Sequence, residues 1–319
     1  MGIARRLLDV KLNDSNRRFF PPSLRKWFRL AKFHALVINR EVRDATDNRL
    51  ASLEQALRKH RPIVLFYPDV PRSTCPIYQF CLVRGYRMTN NIEGHWDLAV
   101  RWKDATIYQP GPELTAAARS KPVVNINCND ISKSHVDAVF TEVFGYSSIV
   151  DPRSPTGPCV FKSEIIGVHD GEIVQCPVAS PRDGVYQVFI DNQVDDQFVL
   201  DIRVPIIGTT IPFVLLWHKP LDDRFGHWVS RQVIAELQDV FSAREQQRLL
   251  QFARQMGLDY GDLDVLRDRR TGRMYIIDAN NTPDWERPAL PDPGDDVKRM
   301  AVVFGEQFGL ECEAKHRAT

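Results

Sequence analysis

The chain has 319 residues, of which 43% are hydrophobic and 26% charged, with a formal net charge of +1. That length buries a large core and fits an enzyme-sized protein of two lobes or two domains, with the composition of an ordinary globular protein. No run approaches the roughly 18 apolar residues of a membrane span, and no apolar stretch followed by a small-residue cleavage site opens the chain, so the expected location is the cytoplasm.

The small net charge hides an asymmetry. Residues 1–63 hold 15 Lys/Arg and 6 Asp/Glu, a net of +9 that leaves the remainder at −8. Aromatics interleave the basic residues, in Arg17-Arg18-Phe19-Phe20, Arg25-Lys26-Trp27-Phe28-Arg29 and Lys32-Phe33-His34. Such a mixture suits an anionic partner, namely a membrane surface, a nucleic acid or an acidic carrier protein. It also suits an arm that packs its aromatics on the body or on a second subunit, so oligomerisation stays open. There is no specific nucleic-acid signal. The six cysteines show no CxxC or CxxH spacing and lie mostly among apolar residues, which reads as reduced core thiols.

In chain order, residues 23–60 read as helical, with Leu50, Leu53 and Leu57 at helix spacing. Pro62 to Pro68 is a buried strand, Pro76 to Val83 a helix, Gly85 to Met88 the start of a strand, and Leu98 to Trp102 another strand. This β-α-β order predicts a small open parallel-sheet unit, and no glycine fingerprint for dinucleotides accompanies it. From Val123 a second body begins, with a helix over Ser134–Val143 and a strand pair at Val160–Lys162 and Gly171–Val174. Strands follow at Gly184–Asp191, Phe198–Gly208 and Ile211–Trp217, then a helix over Ala243–Met256 closed by Gly257.

The chemistry concentrates next, in Gly261-Asp262-Leu263-Asp264-Val265-Leu266-Arg267 and Met274-Tyr275-Ile276-Ile277-Asp278-Ala279-Asn280. Thr271-Gly272 between them supplies a reversal, which predicts a hairpin. Alternation puts Asp278 and Asn280 on one face, and Asp264 on the paired strand joins them. Two carboxylates and an amide oxygen are hard donors suited to Mg²⁺ on nucleotide phosphates, and acids set among Leu, Val and Ile require such compensation.

These motifs in this order resemble the ATP-grasp superfamily, especially its carboxylate–amine ligase branch. The resemblance is carried by Ile131-Ser132-Lys133-Ser134, Val160-Phe161-Lys162, Val185-Tyr186-Gln187-Val188-Phe189-Ile190-Asp191, Leu200-Asp201-Ile202-Arg203-Val204, the two hairpin runs, and Asn281-Thr282-Pro283. It implies an α/β (α+β grasp) fold: a basic, mainly helical extension over 1–60, a pre-grasp unit over 61–120, and an ATP-grasp domain over 121–319. The smaller lobe would take about 121–190 and the larger about 191–319. It implies that Lys133 and Lys162 reach the phosphates from the smaller lobe, and that Gln187, Val188, Phe189 and Ile190 form the hinge holding adenine. Arg203 would stabilise the transferred phosphoryl, with Lys219 and Arg224 as a second basic element facing the site. Asp264, Asp278 and Asn280 would hold Mg²⁺, with Mn²⁺ as an alternative, and ATP is the implied cofactor. Taken alone, Asp201-x-Arg203 also fits a structural ion pair, and Lys162 a solvated strand lysine.

Three departures stand out. Asp278 replaces the more usual Glu, the segment after Lys162 is poorer in glycine, and Asp284-Trp285-Glu286-Arg287-Pro288 stands where ligases often carry small residues. The leading expectation is a ligase that activates a small-molecule carboxylate as an acylphosphate and joins it to an amine. The alternatives are a kinase with a hydroxyl acceptor, and an inactive binding protein that works through its basic arm.

Overall fold

A computed structural model of the chain describes residues 61–310 apart from 155, 156, 169, 227 and 286–293. The basic arm, the helical reading of 23–60, the segment Glu286-Arg287-Pro288 and Cys312 therefore lie outside the described residues. No described helix is long and apolar enough to cross a membrane.

The first unit is a parallel sheet. Strands β1 (Ile63–Pro68), β2 (Arg87–Thr89), β3 (Leu98–Trp102) and β4 (Val123–Val124) lie in the order β2-β1-β3-β4, with helices α1 (Pro76–Arg84) and α2 (Pro112–Ala117) in the connections. The run Val64-Leu65-Phe66 is fully buried because both sheet faces are covered: Val64 and Phe66 join one core cluster and Leu65 another. Pro76 opens α1, where its missing N–H goes unneeded, and Gly85 at φ 72° closes it.

Helix α3 (Lys133–Phe144) follows, with Ser132 accepting from the His135 N–H as its N-cap. Next comes a three-stranded antiparallel sheet of order β6-β5-β7, built from β5 (Gly157–Lys162), β6 (Glu172–Cys176) and β7 (Val185–Val188). This sheet corrects the cysteine reading. Cys75, Cys81 and Cys128 are free and buried, but Cys159 and Cys176 form a disulfide between β5 and β6. The register sets Cys159 opposite Val174, two places from Cys176, so diagonal neighbours meet across the hairpin although 17 residues separate them in sequence.

The third sheet is antiparallel, in the order β10-β9-β8-β11-β12, from β8 (Phe198–Ile207), β9 (Val214–Pro220), β10 (Arg231–Ala235), β11 (Tyr260–Arg267) and β12 (Met274–Asn280). A short helix α4 (Leu237–Val240) leads to α5 (Ala243–Gln255), which starts with a Ser242/Glu245 capping box. Helix α6 (Asp295–Gln307) ends the described chain. The back face of the sheet, with Ile202, Val204, Leu263 and Val265, packs in one core with Phe140 of α3 and Phe252 of α5. At one end of the front face Tyr260 meets Phe80 of α1 and Phe304 of α6 edge-on, at centroid distances of 6.1 and 6.0 Å. Farther along, the front face carries Asp201, Arg203, Asp262, Asp264, Asp278 and Asn280 beside Trp217.

Among the described residues the elements expected from 3.6- and 2-residue periodicity are present, with β9 displaced three residues along the chain from the expected Ile211–Trp217. Strand β10 and helices α2 and α6 were not anticipated. The five residues of β10 show no alternation, and α6 contains Gly305 and follows a proline-rich stretch.

Gly261 lies close against the Asn280 backbone at the end of β12. A Cβ there would meet the Asn280 carbonyl oxygen and come within 2.7 Å of Leu258 Cδ1. Gly261→Ala is therefore expected to destabilise the protein by about 2 kcal/mol or more, the range of overpacking, as a shift in the urea unfolding midpoint.

Candidate active site

The polar site grows from the β11–β12 hairpin. Its turn is tied by Asp268, whose Oδ1 accepts from the N–H groups of Arg270 (3.1 Å) and Thr271 (2.8 Å), and Gly272 supplies φ 71°. The strands set Asp264 opposite Asp278 and Asp262 opposite Asn280. Asp264, Asp278 and Asn280 thus share the front face. The pairing then slips, with Val265 opposite Ile276, which leaves Ile277 as the extra residue of a bulge. That slip puts Ile276 in the apolar back layer, although it stands only two places from Asp278.

A fourth polar group shares this face. Asp262 is 1% exposed and accepts from Trp285 Nε1 at 2.7 Å. Sequence reasoning passed over it, although it alternates with Asp264 in the same run, and that alternation was the available signal.

Arg203, directly opposite Asp264 on β8, makes a bidentate pair with it: Nε to Oδ1 is 2.9 Å and Nη2 to Oδ2 is 3.1 Å. The guanidinium stacks on Trp217 at 4.0 Å from the ring centroid, and its Nη1 lies 3.6 Å from Asp262 Oδ2. Burial works to lower the Arg203 pKa, but Asp264 and Asp262 override it and raise it.

Lys133 and Lys162 converge on Asp278. Burial pushes the Asp278 pKa up to about 6, against the pull of Lys133 and Lys162 and with the push of Asp264. Burial likewise lowers the Lys162 pKa, which Asp278 opposes. Lys133 approaches from a direction that differs from expectation. It opens α3, which packs on β12 and α5, so only Lys162 projects from the three-stranded lobe.

The segment after Lys162 is held in place by its neighbours. Lys133 Nζ donates to the Ile165 carbonyl at 3.2 Å, the Ser134 N–H and hydroxyl donate to Glu164, and the Ile166 N–H donates to Thr106 Oγ1 at 3.2 Å. Thr106 belongs to the first unit, so this cover spans both bodies.

At the hinge, Gln187 is buried and donates to Ser148 Oγ at 3.2 Å, while the Val188 N–H donates to the Ser148 carbonyl at 2.7 Å. Ile190 packs into the core of the five-stranded sheet. Of the four residues expected to hold adenine, the three at 187, 188 and 190 thus have a side chain or N–H committed to the protein. Phe189 differs, offering its ring to Arg224 at 4.6 Å. Arg224 donates to the Ile190 carbonyl at 3.1 Å and to Asn192 Oδ1 at 2.5 Å, and Lys219 pairs with Asp201 at 2.9 Å. Asn192 Nδ2 donates to Asp201 Oδ1 at 3.0 Å, closing the chain. Lys219 and Arg224, expected as a second basic element facing the site, are thus each engaged within the protein, Lys219 by Asp201 and Arg224 by the Ile190 carbonyl and Asn192.

Whether the hairpin suits Mg²⁺ rests on its donors. Among the described residues no group of three or more His, Cys, Asp or Glu is placed to hold a metal ion, so the set is two carboxylates and an amide. Asp278 fits, as a partly buried acid whose charged form a cation would stabilise. Asn280 Oδ1 already accepts from the Thr282 N–H at 2.9 Å, which fixes its orientation. Asp264 fits once Arg203 shares it. All are hard oxygen donors, as Mg²⁺ and Mn²⁺ require.

No family model matches the chain, and no curated protein matches it. Among solved structures, the ATP-grasp ligase PsnB complexed with minimal precursor is 13% identical at a TM-score of 0.49, covering 78% of this chain and 99% of that one. A D-alanine–D-alanine ligase from Bacillus anthracis complexed with ATP is 12% identical at 0.48, covering 77% and 96%. The macrocyclase MdnC from Microcystis aeruginosa, bound with precursor peptide MdnA, is 12% identical at 0.41, covering 76% and 98%. These likenesses are distant, and no activity passes from them to this chain. The architecture itself, a small parallel sheet followed by a three-stranded and a five-stranded antiparallel sheet, has the layout that the ATP-grasp resemblance implies.

Lys162 offers a direct check. If this face takes ATP through Lys162, Lys162→Met should weaken that binding by about tenfold to a hundredfold, the loss of one charge-assisted hydrogen bond, as read by calorimetric titration.

Proposed function

We propose that the protein is an ATP-dependent ligase that activates a carboxylate as an acylphosphate and joins it to an amine. The observation that carries this reading is the convergence of Lys133, Lys162 and Arg203 on the carboxylates Asp264 and Asp278, on the open part of a sheet face. Phosphoryl transfer needs little else from a protein than positioned charge. Asp264, Asp278 and Asn280 would hold Mg²⁺, which when bound neutralises charge on the nucleotide phosphate oxygens; Mn²⁺ would suit the same donors.

Lys133 and Lys162 hold phosphate oxygens, and Arg203 offsets the charge that develops on the transferred group. The acceptor enters from the first unit. Its strand order reverses direction between β1 and β3, and ligands bind outside the carboxyl ends of parallel strands at such a point. Asp69 and Lys103, paired at 3.1 Å, and Arg72, paired with Asp284 at 3.2 Å, stand there beside the hairpin exit. The substrate carboxylate oxygen attacks the γ-phosphorus and ADP leaves; the amine then attacks the acyl carbon and expels phosphate.

Incubation with ATP, Mg²⁺ and pooled carboxylate and amine metabolites tests this. Amide together with ADP and free phosphate supports the ligase. A phosphorylated product that persists would assign a kinase instead, and failure to bind MgATP would remove both.

A further inference from the structure

Asp264 carries two demands that conflict. Both its oxygens are engaged by Arg203, through the Nε/Nη2 edge of the guanidinium. A cation at the hairpin draws on the same oxygens and repels Arg203, a like charge a few ångströms away. If Arg203 had no other anion to turn to, cation binding would strand a largely buried guanidinium.

The face supplies one. Nη1, the part of Arg203 not used on Asp264, lies 3.6 Å from Asp262 Oδ2, within ion-pair range but outside hydrogen-bond range. Asp262 is 1% exposed, and its Oδ1 is buried without a hydrogen-bond partner. An idle buried carboxylate oxygen is destabilising, so the position is not one that favours an acid for stability alone. Trp285 fixes Asp262 through the indole N–H, and the Trp217 ring under Arg203 is a flat support along which the guanidinium can slide.

We propose that Asp262 is a positioning residue that receives Arg203 when Asp264 turns to a divalent cation. The inference rests on the reading of the hairpin as a magnesium–nucleotide site. Arg203 needs to move less than an ångström to bring Nη1 into hydrogen-bond range of Asp262. Asp262 thereby sets how readily the site is loaded, and it holds Arg203 beside the reacting phosphoryl group instead of letting it swing away.

The test is a double-mutant cycle on the full chain, with Mg²⁺ titrated at saturating ADP and followed by tryptophan fluorescence, to which Trp217 and Trp285 should contribute. Wild type should give a saturable change that Trp217→Phe diminishes. Asp262→Asn, which keeps the shape and an acceptor for Trp285, should weaken Mg²⁺ binding about tenfold, within the usual range of site-to-site coupling. In an Arg203→Met background the same substitution should change it less than about twofold. Should Asp262→Asn not fold, Trp285→Phe serves: freeing Asp262 from the indole should tighten Mg²⁺ binding. Equal weakening by Asp262→Asn with and without Arg203 would mean that Asp262 acts on the cation directly, and would overturn the proposal. So would no weakening with Arg203 present, or, for Trp285→Phe, unchanged or weaker binding. No response of wild type to ADP or Mg²⁺ would instead remove the nucleotide-site reading on which the proposal stands.

Discussion

Asp278→Asn is expected to abolish ATP-dependent turnover while making the ligand-free protein more stable at neutral pH. Burial raises the Asp278 pKa to about 6 from an ordinary 3.8, so the folded state favours the protonated acid. A raised pKa contributes stability that is full below the unfolded value near 4 and is lost as pH rises through 6. By pH 7 the ionised carboxylate costs the fold on the order of 2–3 kcal/mol, at 1.36 kcal/mol per pKa unit. Asparagine keeps the shape without the charge and removes that loss, so thermal unfolding midpoints of variant and wild type should coincide near pH 4 and diverge by pH 7. Mg²⁺ with nucleotide should stabilise wild type and leave the variant unmoved. A variant less stable than wild type at pH 7 would mean that the lysines depend on Asp278 more than Asp278 suffers from burial.

Asn125→Ala should produce the largest loss of stability from a single side chain. Asn125 is fully buried with φ at 61°, in the left-handed region where asparagine is tolerated. Its Oδ1 accepts from the N–H groups of Asp259 (2.8 Å) and Tyr260 (2.9 Å), and its Nδ2 donates to the carbonyls of Tyr260 (2.7 Å) and Asn281 (3.3 Å). The backbone N–H of Asn125 donates to Asp259 Oδ2 at 2.7 Å. One residue after β4 therefore clamps the start of β11 and the end of β12. Alanine leaves these groups buried and unmatched at about 1–3 kcal/mol each, so a loss of at least about 4 kcal/mol is expected in urea unfolding. Asn125→Asp, which turns an oxygen toward the Tyr260 and Asn281 carbonyls in a fully buried site, should be no more stable than alanine.

Much of this molecule is legible in its sequence, and the unread parts share a cause. Helices α3 and α5 announce themselves through Ser132, Gly145, Ser242 and Gly257, because caps and glycine stops are local. The hairpin is readable because alternation and a Thr-Gly turn are local too. Long-range partners are a different matter. The Arg203–Asp264 pair joins residues 61 apart, and the disulfide depends on a register that no spacing reveals. Asn125, 134 residues from Asp259, looks in sequence like any loop asparagine. The bracing of Lys219 and Arg224 by Asp201 and Asn192 could not be seen either, since a lysine in a list of motifs carries no sign of its counterion.

The bulge at Ile277 makes the hairpin a frame that tolerates change in one dimension only. Residues 268–272 can lengthen or shorten at the tip without reaching the carboxylates. On β12 the faces depend instead on the bulge, because only with Ile277 looped out do Ile276 and Asp278, two places apart, lie on opposite faces. Straightening β12 with Ile277 retained would draw Ile276 into the cleft beside Asp264, or turn Asp278 into the apolar layer beneath α3, whereas deleting Ile277 would leave both on their present faces. Anyone transplanting this site onto another scaffold must therefore carry the irregularity along with the acids, since an ideal hairpin bearing the same side chains would present a different surface.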